Sequence, residues 1–148
     1  MTSKLLPMDS QWLDSVVAIE KAAHSHPWAD SLLMKPEARF GCNRVLVENG
    51  KVVGYFFAQC VAGEASLLNI AVAPECQGKG YGKQLLQAFL DCMREAGGEE
   101  AWLEVRESNT PAIRLYESLG FNEFDRRYDY YPTATGREDA LIMSYWFE

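Results

Sequence analysis

Apolar residues recur at Trp12, Leu13, Val16, Val17, Ile19 and Ala23, a spacing that lines one face of a helix over residues 9–23. Pro27 disfavours helical backbone at His26, so the segment 24–28 ends that helix, and residues 29–35 predict a short second one before Pro36. Strand-like runs follow at 44–48 and 52–61. They flank Asn49-Gly50, a dipeptide suited to a tight hairpin turn. A third run, 65–72, comes after a turn around Gly63. Strict apolar and polar alternation is poor in these runs, which predicts strands covered on both faces. The period then changes. Leu85, Leu86, Phe89, Leu90 and Met93 fall at helical spacing, and Gly97-Gly98 ends the element. A short strand is expected at 101–105. A helix is expected at 111–119, with Asn109 or Thr110 as cap and Gly120 as stop. Two final strands, 124–130 and 140–146, surround the turn-rich stretch 132–137. The order is helices, three strands, helix, strand, helix, two strands, a mixed α/β sheet with helices packed on it.

The length of 148 residues suits one domain spanning 1–148 around one apolar core. No apolar stretch approaches the roughly 20 residues that cross a bilayer, so no membrane partner is expected. The start, Met1 to Met8, lacks the apolar core of a secretory signal, which points to the cytoplasm. Cys42, Cys60, Cys76 and Cys92 form no C-x-x-C pair, and His24 and His26 are distant in sequence; no metal is expected, and all four thiols are expected reduced. The formal charge of −7 disfavours nucleic acid and favours a cationic partner. A merely soluble acidic surface would carry the same charge.

The stretch from Asn69 to Leu86 adds chemistry. It runs from strand through a glycine-rich loop into a helix. Gly78, Gly80 and Gly82 let backbone approach a ligand closely. The helix start offers unpaired N–H groups and the positive end of its dipole, an anion site. Lys79 and Lys83 add positive charge to an acidic chain, and a pyrophosphate suits the place. A Walker loop fails because Gly80 follows Gly78-Lys79, and G-x-G-x-x-G fails at its third glycine.

Gln77-Gly-Lys-Gly80-Tyr-Gly82 resembles the acetyl-CoA signature of the GCN5-related N-acetyltransferase (GNAT) superfamily. The resemblance continues through Trp102 to Arg106, Asn109, and Ala112 to Phe121, over nearly the whole chain. The tail from Tyr130 to Ala140, with Glu64 to Val72 and His26-Pro-Trp28, is similar to a bacterial branch that acetylates the N-terminal alanine of a small-subunit ribosomal protein, protein eighteen. Tyr128-Asp129 stands where that branch leads one to expect Arg-Asn. The resemblance implies a mostly antiparallel, twisted α+β sheet with splayed central strands. It implies acetyl-CoA as acetyl donor and the N-terminal peptide of a ribosomal protein as partner, with no direct nucleic-acid contact.

It also implies roles. Backbone groups of Ile70, Ala71 and Val72 would pair with the pantetheine arm. Gln77, Gly78, Lys79, Gly80, Tyr81, Gly82 and Lys83 would hold the pyrophosphate, and Asn109 would meet the arm by its side chain, with helix capping as its other reading. An α-ammonium has a pKa near 8, so roughly a tenth is already neutral at pH 7 and a base must take the remaining protons. Glu104 matches that base, and its neighbours Trp102, Leu103 and Val105 suggest an apolar setting; an exposed strand glutamate is the plainer alternative. Tyr116 matches the acid that protonates the departing thiolate, and it also reads as a core tyrosine. Trp28, Tyr131, Glu138 and Asp139 are candidates for the peptide site, against a reading as sheet cover and solvated turn. A small-amine acetyltransferase, such as one for a polyamine or aminoglycoside, and a non-catalytic CoA-binding module remain the alternatives.

Overall fold

The computed structural model describes residues 3–24, 26–34 and 41–148. It opens with an unforeseen strand, β1 (Lys4–Pro7), which pairs antiparallel with β2 (Arg44–Glu48). Four residues ending in proline are too few to show a period, and Pro7 is tolerated because β1 lies at the sheet edge. Asn49 and Gly50, at φ of +53° and +76°, turn the chain from β2 into β3 (Lys51–Val61). Ala62 and Gly63, at +52° and +84°, turn it again into β4 (Glu64–Val72). Both turns need the left-handed backbone that asparagine and glycine adopt readily, and the second imposes it on an alanine.

Four helices are described: α1 (Leu13–Ala23), α2 (Asp30–Leu33), α3 (Tyr81–Glu95) and α4 (Thr110–Ser118). The expected second helix is shorter than 29–35, and Lys35 and Pro36 lie outside the described residues. Three further strands are β5 (Glu100–Arg106), β6 (Asn122–Pro132) and β7 (Arg137–Trp146). The last two outrun their expected bounds at both ends or at the start, so the turn between them shrinks to residues 133–136. Their outer residues are polar and carry no apolar period, yet they complete the ladder.

The seven strands form one sheet in the order β1-β2-β3-β4-β5-β7-β6, antiparallel except where β4 meets β5. On one face α3 and α4 bury Leu85, Leu86, Phe89, Met93 and Tyr116 against Phe56, Leu67, Leu103, Val105 and Met143. On the other α1 buries Val16 and Ile19 against Val45, Tyr55, Phe57 and Ala71. Of the strands read as covered on both faces, β2 and most of β3 are so covered, but the first half of β4 is open on the α1 side, where Leu68 is 48% exposed. Gly54 makes the close packing possible: a Cβ there would meet Leu85 Cδ1 at 2.7 Å and the Ala71 carbonyl at 2.8 Å.

The parallel pairing of β4 with β5 is brief. Glu64, Ala65 and Ser66 register with Glu100, Ala101 and Trp102, and beyond them the strands part. A register shift in the β3–β4 pairing, between Phe57 and Ala58, leaves Leu68 unpaired at the same level. The bulge turns β4 away from β5, which produces the expected splay of the central strands.

One expectation about the cysteines is corrected. Cys42 and Cys92 are joined as a disulfide with their Cα atoms 7.4 Å apart, while Cys60 and Cys76 are free. The partners are 50 residues apart in sequence. Only the packing of α3 on the sheet brings them together, and cysteine spacing carries no trace of that.

Candidate active site

β4 runs on through a short 3-10 turn, Pro74–Cys76, into the glycine loop and α3. Gly80 caps α3 at φ +88°, in the left-handed region, and no side chain caps this end. The first intrahelical bond joins the Gln84 N–H to the Gly80 carbonyl at 3.2 Å. The N–H groups of Tyr81, Gly82 and Lys83 therefore have no partner within the helix. The first turn carries no acidic residue. A Cβ built on Gly78 or Gly80 would meet nothing within 4 Å, so the loop is open on that side. The Gln77 amide donates back to the Val72 carbonyl at 3.2 Å and ties the loop to its strand. Tyr81 donates its hydroxyl to Glu48, an interaction that raises its pKa. Among the described residues Lys79 and Lys83 make no ion pair, leaving both cations to a ligand.

Where β4 and β5 diverge lies a cleft of about 600 Å³. Of the residues singled out in the sequence, Trp28, Ile70, Glu104, Asn109, Tyr116 and Tyr131 line it. Asn109 also accepts the Ala112 N–H at 3.4 Å as the cap of α4, so its capping reading holds. Glu138 and Asp139 do not line the cleft. Glu138 receives the Ser108 hydroxyl at 2.9 Å and Arg106 at 3.3 Å. Asp139 receives Arg126 and the Asp129 N–H, both at 2.9 Å, and these hold its carboxyl below the usual carboxylate range, the backbone bond most of all. The two residues brace the β6–β7 wall instead.

Glu104 is half-exposed and pairs with Arg127 Nε at 3.0 Å. The apolar setting read from its neighbours is corrected: Leu103 and Val105 point into the α3 and α4 core, as alternation along a strand requires. Tyr131 lines the cleft with the two candidate catalytic groups. Burial pushes its pKa up to about 12, with the Glu104 charge as the next cause, and the Arg106 guanidinium lies 4.5 Å from its ring centroid. Tyr116 is 6% exposed; burial raises its phenol well above 10, and Tyr131 adds to the rise. Both phenols therefore stay protonated at neutral pH, as an acid or a hydrogen-bond donor must.

The opposite wall holds residues that pattern reading passed over. Glu20, 1% exposed, receives the Tyr55 hydroxyl at 2.5 Å, the Asn69 amide at 2.8 Å and the Trp28 N–H at 2.9 Å. The His24 ring meets the Asn69 oxygen at 3.2 Å, and His24, Asn69 and Glu20 all line the cleft. A signal was available: Glu20 falls four residues after Val16 on the apolar face of α1, where a charge needs partners. Arg106 also lines the cleft, donating to the Pro132 carbonyl at 2.8 Å and meeting His26 Nδ1 at 3.2 Å. It fixes the start of the β6–β7 turn against β5.

Residues 8–121 match the sequence model of the Acetyltransferase (GNAT) family. The chain is 45% identical over 132 residues to the [ribosomal protein bS18]-alanine N-acetyltransferase of Escherichia coli K12, with 89% of each chain covered. The crystal structure of the ribosomal-protein-S18-alanine N-acetyltransferase from Escherichia coli superposes with a TM-score of 0.93 at 41% identity, covering 98% of this chain and 94% of that one. Arabidopsis thaliana NAA60, solved in complex with acetyl-CoA, has the same fold, with a TM-score of 0.88 at 16% identity over 99% of each chain.

Proposed function

The chain belongs to the Acetyltransferase (GNAT) family, and from that membership we propose that it is a cytoplasmic enzyme that moves the acetyl group of acetyl-CoA to the N-terminal alanine of a small-subunit ribosomal protein of the bS18 type. The observation that carries the reading is the joining of two features by one strand. β4 forms a wall of the cleft that holds Glu104, Tyr131 and Tyr116, and then delivers the uncapped, cation-flanked start of α3. The relatives' activity supports the choice of acceptor. No helix among the described residues is long and apolar enough to cross a membrane.

The residues present fit CoA. The free N–H groups at the start of α3, with Lys79 and Lys83, would hold the pyrophosphate. The stretch of β4 at Ile70, Ala71 and Val72, paired to β3 but not to β5, would hold the arm together with Asn109. Bound there, acetyl-CoA supplies a thioester carbonyl open to attack. Glu104 accepts the proton of the acceptor ammonium, which frees the nitrogen lone pair. As the new N–C bond replaced the C–S bond, Tyr116 would give its proton to the leaving sulfur, and the nitrogen's second surplus proton would pass through water to restore the phenol. Tyr131, with Arg106 stacked on its ring, bounds the acceptor end on one side, and the Glu20 network fixes Trp28, Asn69 and His24 opposite.

The test is incubation with acetyl-CoA and a peptide that begins with alanine and copies a bS18 terminus, read by mass spectrometry and thiol release. One acetyl on the α-amine is expected. Modification of lysine side chains alone, or of small amines alone, would sink the proposal.

A further inference from the structure

The face of the sheet that carries α1 is covered only in part. α1 packs over β3 and β4. Beyond it the same face continues onto β5, β7 and β6, and no helix of the described residues lies there. Paired positions across strands share a face. The registers Glu64↔Glu100, Ser66↔Trp102, Trp102↔Ser144 and Glu100↔Trp146 therefore place these residues together, opposite the core residues Ala101, Leu103 and Met143. Phe124 packs its ring edge-on against Trp102 at 4.8 Å. Phe124 is 64% exposed, Trp146 68% and Val61 41%. An exposed aromatic surface of this kind marks an interaction site, and aromatics are enriched at interfaces.

At its β4 and β5 end the charge is negative, while Arg106 and Arg127 stand on the same face beside the cleft, Arg127 paired with Glu104. Glu64 and Glu100 are cross-strand neighbours, and neither makes an ion pair among the described residues. Burial, and then the Glu64 charge, raise the Glu100 carboxyl above its ordinary value. Two carboxylates opposite one another repel unless a cation comes between them. The face is also continuous with the cleft. Glu104 lies two positions along β5 from Trp102 and four from Glu100, or roughly 7 and 13 Å at a strand rise of about 3.3 Å per residue. A chain leaving the cleft at Glu104 in extended form reaches Trp102 within two or three residues and Glu100 within five.

We propose that the surface formed by Trp102, Phe124 and Trp146 with Glu64 and Glu100 docks the segment of the acceptor protein just downstream of its acetylated terminus, a segment carrying basic and aromatic side chains. This rests on the acetyl-transfer reading and extends it: the cleft takes the terminus, and the open face takes the residues next to it in the acceptor chain. Aromatic side chains on the acceptor stack on the three rings, and its cations settle between the two glutamates. The face thus selects a long cationic polypeptide over a small amine.

The test compares two alanine-starting acceptors, one of four residues and one of twenty with arginines and aromatics from the third position onward. Steady-state kinetics give KM, and fluorescence anisotropy of the twenty-residue peptide, labelled at its C-terminus, gives Kd without turnover. Wild type should bind the long peptide about tenfold more tightly than the short one. The pair Phe124→Thr and Trp146→Thr should erase that advantage and leave the short peptide's kcat and KM unchanged. The pair Glu64→Gln and Glu100→Gln should reduce it and flatten its salt dependence. Equal KM values for both peptides in wild type would overturn the docking while leaving acetyl transfer standing. Unaltered Kd in both variant pairs would overturn it as well. A wild-type dimer by sedimentation velocity that Phe124→Thr with Trp146→Thr turns into a monomer would assign the face to a second copy of the chain instead. Absence of acetylation on either peptide would remove the reading beneath it, and the anisotropy result would still decide whether the face binds the segment.

Discussion

The two walls of the cleft are built by opposite strategies. On the α1 and β4 side, one carboxylate that is 1% exposed is closed in by three donors. On the β5 and β6–β7 side, Glu104 with Arg127, Arg106 with Glu138, and Arg126 with Asp139 are ion pairs at or near the surface. A buried group left without its partner costs about 1–3 kcal/mol. An exposed pair contributes about 0–1 kcal/mol and weakens in salt. The first wall is therefore a piece of the fold that also happens to face the acceptor. The second is a set of charges that can change partners, when an ammonium arrives, at little cost to the fold. The proposed base, Glu104, stands on the wall that can respond without unfolding.

This contrast can be broken at its buried end. Glu20→Ala strands the Tyr55 hydroxyl, the Asn69 amide and the Trp28 N–H at once, and should destabilise the protein by about 3 kcal/mol. Urea unfolding followed by fluorescence reads it, with the midpoint lowered and the slope unchanged. Glu20→Gln keeps one acceptor oxygen but turns a donor toward donors, so it should fall between. A Glu20→Ala loss below about 1 kcal/mol would mean that the network is decoration rather than support.

At the two residues proposed to move protons, one buried on α4 and one on the responsive wall, the effects should appear in turnover instead. Tyr116→Phe keeps the ring against Phe121, whose centroid is 6.0 Å away, and removes only the hydroxyl. We expect kcat to fall about a hundredfold with stability nearly unchanged. Glu104→Gln should lower kcat by a similar factor. Because the two act on one transfer, the double variant should fall well short of the product of the single losses. Rapid-quench turnover with acetyl-CoA checks both, and full kcat in either variant would withdraw that residue's role.

A pH profile sharpens the role of Tyr116. Burial raises the Tyr116 phenol above its ordinary value of about 10, so the acid form persists further into alkali. No loss of kcat attributable to this acid should occur up to about pH 10. A descending limb near pH 8 that vanishes in Tyr116→Phe would contradict that burial.

How far pattern reading reaches depends on where each piece of information resides. The α3 helix, the glycine loop and the hairpin at Asn49-Gly50 are local, and period, cap and turn chemistry spell them out within a dozen residues. Glu104 and Tyr116 emerge only through resemblance, because spacing alone reads them as a strand glutamate and a core tyrosine. The apolar setting inferred for Glu104 fails because neighbours in sequence on a strand are neighbours on opposite faces. β1 escapes because four residues carry no period. The Cys42–Cys92 pairing and the Glu20 network join segments tens of residues apart, and only tertiary packing brings them together. The departure at Tyr128-Asp129 is milder than it looks. Asp129 sits at φ +49°, in a bulge of β6 where the pairing shifts between Arg127 and Tyr131. Aspartate tolerates that backbone nearly as well as the expected asparagine.

The slightest of these effects belongs to that bulge, and pH makes it measurable. The Asp129 N–H and Arg126 both favour the charged form of Asp139, so its folded pKa lies below its unfolded value near 4. A carboxyl depressed on folding stabilises the native state above the unfolded pKa, and that contribution drains away as pH falls through the lower, folded value. Wild type should therefore exceed Asp139→Asn in thermal midpoint by a small margin at pH 6 to 8, and the two curves should converge below about pH 4. Added salt should narrow the gap at neutral pH without closing it, because Arg126 is screened while the short backbone bond is not. If the gap instead widened in acid, the carboxylate would not be what clamps β6 to β7, and the second wall of the cleft would owe its shape to something other than charge.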